Sequence, residues 1–117
     1  MVLNFGKLPV SLWGQQDVLR RCLEAFDREM PLTSVYLFGS HATGRANEES
    51  DIDLCVVSVG ATRPMEAAQR LRRATREIRP KPSFSIIPID PARLKQKQEA
   101  GDHFFQTVLN EGILIVA

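Results

Sequence analysis

The segment Asp51-Ile-Asp-Leu-Cys-Val-Val-Ser58 restricts the fold more than any other part of the chain. Its apolar, β-branched body predicts a buried strand, and two carboxylates stand two positions apart at its start. Side chains alternate along a strand, so Asp51 and Asp53 are expected on one face, about 6–7 Å apart at the backbone. The next positions on that face, Cys55 and Val57, are apolar, which puts the acids at the mouth of a core. Two unpaired carboxylates there would repel each other and resist desolvation, so a cation is expected between them. No His or Cys cluster accompanies them, and an oxygen-only donor set favours a hard ion, most simply Mg²⁺. The plainer alternative is a strand end with both acids facing water.

A second strand is predicted upstream, over Thr33-Ser-Val-Tyr-Leu-Phe38, and it runs directly into Gly39-Ser40. Glycine lets backbone approach a phosphate closely, and free amides at the start of a helical turn bind anions. Ser40 adds a hydroxyl, and Arg45 lies within reach of the same anion. This is no Walker loop, because no Gly-Lys-Ser/Thr is present. A strand–Gly–Ser turn is often only a tight turn. Followed by two metal-binding acids on the next strand, it supplies both parts that a nucleoside triphosphate with Mg²⁺ requires.

The remaining segments alternate between helix and strand periodicity. Leu19, Cys22, Leu23, Phe26 and Met30 mark one face of a helix over about Ser11–Glu29, stopped by Pro31. Pro64 opens a helix whose apolar face runs through Ala67, Leu71, Ala74 and Ile78 to an end near Pro80. Ser83–Ile89 reads as a third strand, with Pro88 marking an edge. Asp90-Pro91 opens another helix, Gly101 interrupts it, and Phe104, Phe105, Val108 and Leu109 resume the apolar face before a terminal strand Ile113–Val116. The expectation is one α+β domain over residues 1–117, with an N-terminal helical segment over about 1–30 and a core over 31–117. A length of 117 residues, 44% hydrophobic and 25% charged, excludes wholesale disorder and fibrous repeats. No apolar run spans a bilayer and no leader-like start is visible, so a cytoplasmic protein is expected. Cys22 and Cys55 fall in apolar patterns and read as core residues.

A net charge of +1 hides a basic segment: Arg63, Arg70, Arg72, Arg73, Arg76, Arg79 and Lys81 stand against only Glu66 and Glu77. Such a stripe can meet phosphate or an acidic partner, or form a solvated helix face carrying the pairs Glu66–Arg70 and Arg73–Glu77. His41 reads as an exposed loop histidine or a phosphate contact, His103 as structural, and Trp13 and Tyr36 as packing residues.

Gly-Ser, ten residues, then Asp-x-Asp, from Gly39 to Asp53, resembles the signature of the polymerase β nucleotidyltransferase superfamily. Within it, the chain is most similar to the minimal nucleotidyltransferase (MNT-like) domains, over about residues 30–117. The resemblance implies the nucleotidyltransferase fold, a small mixed sheet flanked by helices, and nucleotidyl transfer, usually adenylyl from ATP, to an acceptor hydroxyl. Carried over by position, Gly39 and Ser40 would hold the triphosphate, joined by Arg45 and by Ser50 at the head of the Ser50–Leu54 motif. Asp51 and Asp53 would ligate Mg²⁺. It also implies a small helical HEPN partner, often a toxin ribonuclease, neutralised by binding or by adenylylation, with RNA as another acceptor.

One departure stands out. Members usually carry a third acid on the next strand, and the matching position here is Ser85, whose neutral hydroxyl cannot act as a base or charged ligand. Asp90 is close in sequence and would substitute for that acid if Pro88 breaks the register; otherwise alternation puts it on the opposite face, where it reads as a helix cap. Two functions are therefore expected in competition. One is an Mg-ATP-dependent transferase; the other is a catalytically impaired module that keeps the fold and acts by binding a partner.

Overall fold

The computed structural model describes all of residues 1–117. Four strands, β1 (Leu32–Phe38), β2 (Ile52–Ser58), β3 (Phe84–Ile89) and β4 (Ile113–Val116), form one mixed sheet in the order β3-β2-β1-β4. β1 pairs antiparallel with both β2 and β4, whereas β2 and β3 run parallel. A parallel pair needs a crossover, and α2 (Pro64–Ala74) supplies it. The helices α1 (Gln16–Glu29), α3 (Pro91–Glu99) and α4 (His103–Glu111) complete the α+β architecture.

β2 is apolar on both faces because both faces are covered. Ile52, Leu54 and Val56 meet Leu23 and Phe26 of α1 and Leu71 of α2. Cys55 and Val57 meet Leu94 of α3 with Phe105 and Val108 of α4. Each large apolar side chain buried in this way contributes about 1.5–3 kcal/mol relative to exposure. The alternation that sorts these residues also assigns Asp53 to the α3–α4 face, in line with Cys55.

Caps and stops follow the sequence closely. Asp90 Oδ1 accepts from the Arg93 amide at 2.9 Å, and Asp102 Oδ1 accepts from the Phe105 amide at 3.0 Å. Between the two helices the chain turns at Gly101, with φ +72°. β3 lies at the sheet edge, where Pro88 costs no ladder bond to an outer neighbour, and its register with β2 continues unbroken through Ile89.

Several expectations are corrected. Residues Val10–Gln15 form a 3-10 turn ahead of α1 rather than part of it. The helix opened by Pro64 stops at Ala74, because the buried Thr75 turns its hydroxyl back to the Arg72 carbonyl at 3.2 Å. Trp13 does not pack; it is 58% exposed, with its indole nitrogen donating to the Leu8 carbonyl. The intrahelical pairs Glu66–Arg70 and Arg73–Glu77 do not form. Arg70 instead reaches across to Glu29 of α1 at 2.8 Å, and Glu66 pairs with Arg63 at 3.7 Å. The N-terminal strip was not foreseen: the Val2 and Asn4 amides donate to the Ala117 and Ile115 carbonyls and cover the open edge of β4. No helix is long and apolar enough to cross a membrane.

Candidate functional site

Strand register sets the site. Asp53 stands opposite Phe38 on β1 and opposite Ser85 on β3. The parallel β2–β3 pairing thus sets a serine hydroxyl beside the carboxylate, the position that the family resemblance assigned to Ser85. Asp51 lies one residue before β2 and is exposed, so of the two acids only Asp53 is held within the strand. Desolvation pushes the Asp53 carboxyl above its ordinary range, and the neighbouring Asp51 charge adds to this. The Ser85 hydroxyl and, after it, His41 act in the opposite direction. The expected repulsion between the two carboxylates is therefore present in the folded chain.

Immediately after β1 the backbone enters the left-handed region at Gly39, with φ +73°. A Cβ at this position would lie 2.0 Å from Asp53 Oδ2. Glycine is thus required twice, once for the conformation and once for the room its hydrogen leaves to the carboxylate. The chain then makes a single turn: the Ala42 and Thr43 amides donate to the Gly39 carbonyl at 3.1 and 3.2 Å, and the Arg45 amide to the Ser40 carbonyl at 2.9 Å. The turn ends at Gly44, with φ +76°. The amides of Gly39, Ser40 and His41 donate no hydrogen bond within the chain. They are free to hold an anion, by local donors rather than by the dipole of a long helix.

A cleft of about 360 Å³ opens beside this turn, lined by Gly39, Ser40, Thr43 and Arg45 together with Phe104 and Glu111 of α4. Its floor includes Phe38, which meets Phe104 edge to face at 5.6 Å between ring centres. Arg45 therefore shares a cleft with Gly39 and Ser40. Ser50 does not: its hydroxyl accepts from the Asn47 amide at 2.9 Å, and it lines a second cleft of about 520 Å³ with Ser11, His41 and Ser83. Asp90 follows the opposite end of β3 from Ser85 and is committed to capping α3.

Sequence reading misjudged His41. It is 4% exposed, and its Nδ1 lies 2.8 Å from the Ser11 hydroxyl. The partner is 30 residues away, so no local pattern could have supplied it. Phe104 and Glu111 were likewise invisible as cleft residues, since only the packing of α4 beside the turn brings them there.

As a metal centre the donor set is sparse. Nowhere do three His, Cys, Asp or Glu side chains gather. Asp51 and Asp53 with the Ser85 hydroxyl are oxygen donors only, and two carboxylates suit one Mg²⁺ that keeps water and phosphate oxygens as its other ligands. They do not make a three-carboxylate site.

A family model described as "Nucleotidyltransferase domain" matches residues 19–109. The fold is similar to a crystal structure from Sulfolobus solfataricus described as that of a "putative nucleotidyltransferase", with a TM-score of 0.57 and 23% identity, covering 84% of this chain and 76% of that one. No functionally curated protein matches.

Proposed function

The chain belongs to the nucleotidyltransferase domain family, and from that premise we propose that it binds a nucleoside triphosphate, ATP in the first instance, for adenylyl transfer to a hydroxyl on a protein or RNA. One observation carries the reading: the Gly39 turn, with free amides at residues 39–41, is pressed against the Asp53 carboxylate. Those amides, the Ser40 hydroxyl and Arg45 would bind the polyphosphate, while Asp51 and Asp53 would hold Mg²⁺. When bound, the ion neutralises charge on the phosphates and on the departing pyrophosphate. The acceptor oxygen attacks the α-phosphorus, the bond to the pyrophosphate oxygen breaks, and pyrophosphate leaves. The acceptor's proton passes to water, because position 85 offers a serine, which cannot act as the base, where the family resemblance implies an acid.

That serine favours a second reading from another class. In it, the domain retains the nucleotide cleft but acts as a cytoplasmic binding module, neutralising a HEPN-like helical partner by complex formation. The basic surface on α2 and the following turn, where Arg73, Arg76 and Arg79 make no ion pair, suits an acidic partner face.

Labelled ATP and Mg²⁺, added to the chain with and without a candidate partner, separate the two. Label on protein or RNA that disappears in both Asp51→Ala and Asp53→Ala supports transfer. A tight complex with no label, unchanged by Asp53→Ala, supports the module. Failure of Mg-ATP to bind the chain at all overturns the nucleotide reading.

A further inference from the structure

We propose that Ser11 and His41 form a brace by which the N-terminal segment holds the Gly39–Ser40 turn in its anion-binding shape, His41 acting as a positioning residue. The inference rests on the nucleotide reading above. His41 directly follows Ser40, and its own amide is among the three free donors of the turn. The residue is 4% exposed, and its ring is fixed at one nitrogen by the Ser11 hydroxyl, 2.8 Å away. A hydroxyl both donates and accepts, so this bond survives in either neutral tautomer. Ser11 is itself held firmly. Leu8 and Leu12, on either side of it, are buried in the larger core, and the Trp13 indole closes onto the Leu8 carbonyl at 2.8 Å. The other edge of this arrangement is the 520 Å³ cleft, lined by Ser11, Gln15 and His41.

Deleting the Ser11 hydroxyl leaves a nearly buried imidazole whose remaining polar outlet is that cleft. The ring then turns toward water, and the backbone at 40–41 turns with it, moving the amides that must converge on a phosphate. Ser11 lies before residue 19, where the family match begins, so the brace belongs to this chain's own N-terminal segment. The segment is thus part of the site.

The test measures Mg-ATP affinity of the full chain at a temperature where circular dichroism shows every variant folded. Ser11→Ala and His41→Leu are expected to weaken binding roughly fivefold, the equivalent of one ordinary hydrogen bond. His41→Asn, which keeps a polar atom near the Nδ1 position, is expected to restore most of the affinity. Hydrogen exchange without nucleotide gives an independent readout: the Ala42, Thr43 and Arg45 amides should exchange faster in Ser11→Ala. Wild-type affinity and wild-type exchange in Ser11→Ala would overturn the brace alone. A wild-type chain that binds no Mg-ATP would instead overturn the functional reading from which the brace takes its purpose.

Discussion

Gly39 and Asp53 meet across the β1–β2 pair with no room for a methyl group between them, since a Cβ on Gly39 would stand 2.0 Å from Asp53 Oδ2. Gly39→Ala therefore meets a backbone penalty at φ +73° and a collision with a carboxylate. The expected destabilisation is roughly 1–3 kcal/mol. Mg-ATP affinity should fall by more than the folded fraction explains, because the carboxylate must move aside. Denaturant unfolding and equilibrium binding on the same preparation check both; unchanged affinity would mean that the contact does not matter to the site.

Asp53 carries a carboxylate that the apo fold disfavours. Its pKa is raised by desolvation and then by Asp51, so more protons are bound folded than unfolded, and stability from this group falls as pH rises through its titration. Asp53→Asn should accordingly raise the apo melting temperature modestly while removing Mg²⁺-dependent nucleotide binding. Thermal scans with and without Mg-ATP read both effects, and a variant less stable than wild type near neutral pH would contradict the assignment.

Ser85 is the position at which an acid would complete the set. Ser85→Asp places a third carboxylate in register with Asp53. Without metal the variant should be less stable than wild type, by like-charge repulsion, and millimolar Mg²⁺ should recover the difference. Any transferase activity should rise by about a hundredfold or more, in the range ascribed to a positioned general base. Absence of a Mg²⁺-dependent shift in melting temperature would show that residue 85 does not face the ion site.

Asp102 caps α4, the helix that lines the cleft through Phe104. The hydrogen bond from the Phe105 amide, followed in weight by Lys97 among the lowering influences, holds its carboxyl below the ordinary range despite an opposing desolvation effect. A depressed carboxyl contributes stability above its unfolded pKa and loses it as pH falls, so the contribution should fade below about pH 4. Asp102→Asn, which keeps a capping oxygen without the charge, should melt slightly below wild type at pH 7 and converge with it in acid. A pH-independent gap would point to the amide bond alone rather than the charge.

Cys55 is buried on the face it shares with Asp53, and burial pushes its thiol up to about 12. Cys22, also buried, is raised by desolvation against the lowering influence of Lys81 and Arg21. Neither should alkylate in the folded chain at pH 7.5, and both should react once denaturant is added. Rapid native labelling of Cys55, followed by mass spectrometry, would show that the α3–α4 face opens.

Much of the architecture was legible because it depends on local rules. The two-sided apolar run after Asp53 requires a covered central strand, Pro31 and Gly101 end helices, and Asp90 and Asp102 cap the segments that follow them. The family resemblance pointed to Ser85 as the residue beside Asp53, and the parallel β2–β3 register bears that placement out. Helix length at Ala74 was not, because the apolar period continues to Ile78 while a buried Thr75 ends the helix by side-chain hydrogen bonding. The partners of Arg70 also escaped local reading: a helix-surface rule favours Glu66, but α1 packs close enough to offer Glu29.

What the sequence determined by itself is the chemistry on offer: a glycine–serine turn and two aspartates, set by residue type and by the two-residue period of strands, with Ser85 at the third-acid position marked by the family resemblance. Only the tertiary structure decided how those parts meet. Gly39 lies against Asp53, Asp51 is left in water just outside the strand, and His41 is drawn into the interior by Ser11. Such contacts join residues many positions apart, and sequence spacing carries no information about distance between segments until the sheet and its covering helices have packed.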